Sequence, residues 1–327
     1  MRKRLHSFLG TGVCIFMLLT LNQPVLSQSI STGTPGLEVG LNFGPMNFLG
    51  DVGGNYGKGT TFLKDNNFAF FRLMKGGYIA ANVSHFLAFR LNINFGELAG
   101  HDSVINAKGG MEEARRVRDL GFKSKLFEGY IAAEIYPTVL LEDDPSDTWH
   151  KLRPYGIIGV GMFNFNPQGL YIAPNGERRW VDLKPLRTEG QGMAEYPDRK
   201  EYKLTEICIP IGAGVKYFVT EKFHIGAEVL HRVTFTDYID DVSTNYIDPA
   251  HFSNYMTPDQ AAIARQMADR QNYFQANTRP GFTRNVGDKR GNPKQSDAYF
   301  SFAVKFGWRI GNASSKGLLR QSQCPVW

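Results

Sequence analysis

Apolar and polar side chains alternate through residues 223–241. Phe223, Ile225, Ala227, Val229, Val233 and Phe235 share one parity, and Gly226, Glu228, Arg232, Thr234 and Thr236 share the other. Successive side chains on a strand point to opposite faces, so this alternation predicts an extended strand with one oily and one polar face. The run exceeds the usual strand of about five or six residues. It carries charges along its length and is long enough to cross a bilayer.

Seven further stretches repeat the pattern. Residues 37–43 set Leu37, Val39, Leu41 and Phe43 against Glu38, Gly40 and Asn42, and residues 89–96 set Phe89, Leu91, Ile93 and Phe95 against Arg90, Asn92, Asn94 and Gly96. Residues 127–136, 207–217 and 299–310 behave likewise, 77–83 is less regular, and 155–163 is apolar on both parities and rich in glycine. The connections alternate: 44–76 is long, 84–85 tight, 97–121 long, 138–153 medium, 165–205 long, 219–222 tight and 239–297 very long. Short turns on one side and long loops on the other are the habit of outer-membrane barrels, whereas a soluble sandwich or lipocalin-like barrel has no reason for that asymmetry. The expected fold is therefore all-β, an eight-stranded antiparallel transmembrane β-barrel with long extracellular loops and short periplasmic turns.

Aromatic rings on the apolar parity sharpen this. Phe43, Phe95, Phe127, Phe163, Phe235 and Phe300 fall near the expected outer ends, and Phe89, Tyr155, Tyr217, Phe223 and Trp308 near the inner ends, as two interfacial belts require. The polar parity collects Glu38, Arg90, Glu128, Glu134, Lys216, Glu228, Arg232, Lys305 and Arg309. Eight strands leave a lumen only wide enough for side chains, and an unpaired buried charge is costly, so these nine are expected to pair as a polar plug. A proton relay is the alternative use of such a set. His231 breaks the pattern, since its parity puts an imidazole toward lipid. Either a bulge slips the register there, the reading preferred, or that patch faces a protein neighbour.

Residues 1–27 read as a secretory leader: Arg2, Lys3 and Arg4, then an apolar run too short to span a membrane, then small or aliphatic residues before a cleavage point after Ser27. Residues 28–36 would form a periplasmic lead, 37–310 the barrel and 311–327 a periplasmic tail. Removing three of the 37 basic residues with the leader leaves 34 against 31 acidic ones, a near-neutral balance that argues against nucleic acid as a partner. Mean hydropathy is −0.29, which a barrel tolerates because only alternate residues need be apolar. Cys208 and Cys324, the cysteines beyond the leader, have no metal-binding spacing and are expected at opposite ends of the barrel, unbridged.

Candidate chemistry is sparse. His101, Asp102 and Ser103 are adjacent and cannot meet in triad geometry. Asp237, Asp240 and Asp241 are of a type that chelates calcium, but read more readily as a solvated strand end. Thr257-Pro258-Asp259-Gln260 opens a capped helix running to about residue 270, inside the longest outer loop and packed on the barrel mouth or a partner. Neither an enzyme nor a cofactor nor a small-molecule substrate is implied.

Three segments carry a family resemblance. Residues 37–54 (LEVGLNFGPMNFLGDVGG), 210–217 (PIGAGVKY) and 235–243 (FTDYIDDVS) resemble the first strand and loop, the sixth strand and the seventh-strand exit of the PorG-like outer-membrane barrels of Bacteroidetes. The resemblance implies an integral barrel, embedded in outer-membrane lipids, that serves type IX protein secretion and contacts a periplasmic lipoprotein of the secretion ring. His231, Leu318, Leu319 and Trp327 are the expected partner-contact residues. The alternative is a generic surface barrel acting as an adhesin or ligand-binding protein through its long loops.

Overall fold

A computed structural model describes residues 36–54, 70–84, 86–105, 112–138, 151–220, 222–271 and 284–310. The leader, most of the lead, and the tail with Leu318, Leu319, Cys324 and Trp327 lie outside the described residues. The strands are β1 (Gly36–Leu49), β2 (Arg72–Asn82), β3 (Leu87–His101), β4 (Gly121–Ile135), β5 (Leu152–Ile172), β6 (Arg178–Asp182), β7 (Thr205–Phe218), β8 (Phe223–Thr234) and β9 (Ala298–Ile310). Each pairs antiparallel with its neighbour, β4 pairs with β5, β5 with β7, and β9 returns to β1. The chain therefore closes an eight-stranded antiparallel barrel. β6 is a ninth strand, paired only with the outer end of β5 as a hairpin.

Hydrogen-bonded partners climb as they circle the wall. A circuit from Asn82 through Ala88, Glu134, Ile157, Gly212, Leu230, Ser301 and Met46 returns to β2 at Arg72, a stagger of ten residues from 82 to 72. Stagger and strand tilt are linked, and with eight strands the interior is filled by side chains.

Several strands run further outward than their alternation suggested. On β1, Met46, Asn47, Phe48 and Leu49 are all buried, as are Leu98, Ala99 and Gly100 on β3. A strand covered on both faces loses its period of two, which is why the pattern ended early. Three outer connections shorten, to 50–71, 102–120 and 173–204, and the last begins earlier, at 235–297; the inner ones run over 83–86, 136–151 and 219–222.

Three belt residues are corrected. Odd-numbered side chains of β5 point inward, so Tyr155 and Phe163 are buried in the lumen and its lower cap. Gly161 on that face is required: a Cβ there would stand 2.4 Å from the Tyr130 Cβ. Phe300 keeps its outward parity but lies under the Phe71 ring, at 6.0 Å between centroids. The bulge expected at His231 is also absent. Pairing runs unbroken through Leu230, His231 and Arg232 on both sides, with His231 opposite Ile211 and Phe300, so the imidazole does sit on the outward face. The strand itself ends at Thr234, and residues 235–241 turn into the loops.

Candidate functional site

Eight of the nine charged residues expected in the lumen are buried there. Arg90 Nη1 donates to Glu134 Oε1 and to Glu228 Oε2, both at 2.7 Å, and its Nη2 reaches Glu228 Oε1 and the Tyr130 hydroxyl at 3.1 Å. Lys216 Nζ bridges Glu38 at 3.0 Å and Glu134 at 2.8 Å, and Lys305 Nζ lies 3.4 Å from Glu134 and 3.3 Å from Glu228. Nearer the outer end, Arg232 holds Glu128 through Nη2 at 2.7 Å and Nε at 3.2 Å. Four carboxylates thus face four cations, and each ion has an opposite charge within reach. That balance offsets the desolvation that burying them costs.

Arg309 does not join them. It is half-buried at the inner end, its guanidinium 4.2 Å from the centre of the Phe218 ring. The alternation undercounted the neutral partners. Tyr78 and Tyr155 hydroxyls donate to Glu38 and Glu228 at 3.0 and 2.7 Å, Tyr299 to Glu128 at 2.7 Å, and Asn94 to Glu128 at 2.6 Å. His224 Nε2 sits 2.8 Å from Glu38 Oε1. It shares the parity of Glu228, so the pattern held the signal that would have placed it.

Above the charges, the outer connections fold into a cap over the mouth. Its apolar core joins Phe48, Val52, Leu120, Phe122 and Phe165 to Leu183, Met193, Ile239, Val242 and Phe252. The helix α1 (Glu112–Arg118) brings Arg118 onto Asp102, with Nε to Oδ2 at 2.7 Å and Nη2 to Oδ1 at 3.0 Å. The three adjacent residues 101–103 are accordingly a structural corner. After the short α2 (Phe252–Tyr255), α3 (Pro258–Ala268) starts at the expected Thr257, whose hydroxyl and Gln260 form a capping box. Its buried face meets the cap, and the Gln266 amide clasps the Ile172 N–H and carbonyl of β5, both at 2.9 Å.

The acidic run 237–241 is also part of the cap's interior, not a solvated strand end. Asp240 accepts from the Val52 N–H at 2.8 Å and the Val242 N–H at 3.0 Å, and Asp241 from the Tyr202 hydroxyl at 2.7 Å. Glu189 accepts the Ser243 and Thr244 N–H groups and pairs with Arg290 at 2.8 Å. Burial pushes Asp240 and Asp297 well above the usual carboxylate range, and neighbouring acids push the same way. Burial also raises Asp237 to about 9, with Asp51 and Asp240 adding to it and Ser243 opposing. Asp241 rises only to about 6, because Arg290 counters its burial. Among the described residues no group of three or more His, Cys, Asp or Glu is arranged to hold a metal ion.

The wall outside is apolar all round. Leu41, Phe89, Phe95, Phe127, Ile131, Val160, Ile211 and Trp308 are among many large side chains exposed there. The rings of Phe43, Phe95, Phe127 and Phe235 stand toward one rim and those of Phe89, Tyr217 and Trp308 toward the other. Soluble monomers rarely expose apolar patches beyond a few hundred Å², and a closed barrel with such a belt spans lipid. No helix among the described residues is long and apolar enough to do so. The chain is an outer-membrane β-barrel.

No family model matches the sequence, and no curated protein matches it. Solved structures with a similar chain path include the N-terminal β-barrel domain of Pseudomonas aeruginosa OprF (11% identity, 85% of this chain, 100% of that one, TM-score 0.28). Ail of Yersinia pestis shares 7% identity over 85% of this chain and 100% of its own, at a TM-score of 0.33. OprG of Pseudomonas aeruginosa shares 8% over 86% and 99%, at 0.30. The barrel assignment stands on the strand registers and the apolar belt of the chain itself.

Proposed function

We propose that this barrel is a non-enzymatic structural component of a protein-secretion machinery, of the type IX class implied by its resemblance to PorG-like barrels, and that a periplasmic ring lipoprotein is its partner. The observation behind the structural role is the filled interior. Paired charges occupy the described lumen and the cap covers its outer mouth, which leaves the outside surfaces and the periplasmic side for function. The sequence resemblance supplies the secretion context. The outward His231, in unbroken pairing on the lipid-facing wall, then marks a patch that faces a protein neighbour. A clean deletion is expected to leave type IX cargo inside the cells, and a photo-crosslinker at Ser84 or Thr220, in the inner turns, to capture a periplasmic lipoprotein. Normal secretion in the deletion strain sinks this reading.

One observation favours the second reading, a surface adhesin. The β5–β6 hairpin exposes Arg178, Arg179 and Trp180, with Lys123 Nζ 4.2 Å from the centre of the Trp180 ring. Loss of adhesion in an Arg178→Ser, Arg179→Ser variant that still secretes normally supports it.

A further inference from the structure

The outer wall has a notch that the barrel does not need. Outward side chains along β1 and β3 are large at matching heights, Leu41 with Ile93 and Phe43 with Phe95, but the residue between Leu41 and Ile93 on β2 is Gly77. The gap is floored by Gly77, with Ile79 below it and Lys75 above. Neighbouring glycines serve the fold: a Cβ on Gly76 would lie 2.1 Å from Asn94 Oδ1. Gly77 does not. A Cβ there would meet only Gly40 O at 3.4 Å and Leu41 Cδ2 at 3.8 Å, which are ordinary contacts.

The charge beside the notch is equally specific. Lys75 is exposed on the lipid-facing parity, between the rings of Phe43 and Phe95 in the outer aromatic belt. A cation on that face costs little near the interface but gains only where it meets an anion. The acid on the adjoining strand, Glu97, is already engaged by Arg72 at 3.4 Å, and Lys75 has no carboxylate partner among the described residues. An apolar slot as wide as a missing side chain, running inward from a lysine at headgroup depth, matches an amphiphile with an acyl chain below and a phosphate above.

We infer that this notch is a binding site for a phosphorylated glycolipid of the outer leaflet, one acyl chain lying over Gly77 and a phosphate meeting the Lys75 ammonium. The inference rests on the membrane barrel and not on the secretion role, so either stands if the other fails.

The test is native mass spectrometry of the full chain, released from detergent after incubation with bis-phosphorylated lipid A or with phosphatidylcholine. The wild type is expected to retain one lipid A and little phosphatidylcholine. Gly77→Leu, which fills the slot, should weaken retention by about tenfold or more, the scale of one lost acyl contact set. Lys75→Gln should weaken it several-fold. Gly156→Leu serves as the control: it also adds a side chain to the wall, at a glycine whose Cβ would meet nothing within 4 Å, and should retain lipid A like the wild type. Heat-modifiable gel migration checks that each variant is folded. Equal retention by the wild type and Gly77→Leu, or of both lipids by the wild type, overturns the inference. Loss in Gly77→Leu without loss in Lys75→Gln overturns the phosphate part. A dimer that disappears in Gly77→Leu overturns the lipid in favour of a second copy.

Discussion

The lumen and the cap both bury charge, and they do it in opposite ways. In the lumen four carboxylates interleave with four cations, so Arg90 reaches two glutamates and Glu134 reaches Arg90, Lys216 and Lys305. In the cap, Asp51, Asp237, Asp240 and Asp297 crowd one another, and backbone N–H groups bond three of them, Asp51, Asp240 and Asp297. Pairing by opposite charge fixes side chains to side chains across the barrel. Pairing by N–H groups instead uses the acids to fold loops that have no regular structure of their own. The lumen is thereby a strut between strands, and the cap a set of loops tied by their own backbone.

That difference makes testable demands. The largest effect should come from the lumen: Arg90→Met removes the cation shared by Glu134 and Glu228 and leaves Lys216, Lys305 and Arg232 facing four buried carboxylates, and urea unfolding from vesicles should show a loss of about 3–5 kcal/mol. Next is a pH effect confined to the cap. Asp237 is raised from 3.8 to about 9, so the folded cap holds a proton that the unfolded chain releases. Its contribution is complete below about pH 4 and is lost progressively as pH rises to about 9. Hydrogen exchange at the Val52 and Val242 amides should therefore quicken between pH 6 and 9 while β3 and β4 amides, corrected for intrinsic rates, do not; uniform quickening would erase the distinction. A third outcome is small by design. The filled lumen should conduct poorly in a planar bilayer, and a large stable conductance would break the view of it as a strut. The smallest effect separates the two regions by sign. Asp297 keeps one oxygen on the Ile239 N–H at 2.8 Å while Oδ1 has no hydrogen-bond partner. Asp297→Asn should thus be neutral or stabilising by up to about 1 kcal/mol in the same urea assay, whereas neutralising a lumen ion destabilises.

The two regions also differed in how much of them the sequence disclosed. The lumen charges were legible because parity alone assigns a strand residue to a face, and Glu38, Glu228 and Lys305 needed nothing more. Parity failed at 155–163, where both faces are apolar and only the close approach of Gly161 to Tyr130 shows which side is inward. Parity did place His231 on the outward face, and the bulge preferred as a way out of that placement is absent. The cap was nearly silent. Val52 and Asp240 are bonded across a long stretch of chain, and no local periodicity encodes such a pair. Only the Thr257 cap of α3, a local signal, announced itself.

One last consequence belongs to β6. Closing a barrel removes every free strand edge, and the hairpin restores one. Its exposed side is five residues long and carries Arg178, Arg179 and Asp182. Short, charged edges resist templating by foreign strands. Arg178 and Arg179 put two positive charges along this edge, so a foreign strand that paired with β6 would have to lie beside them.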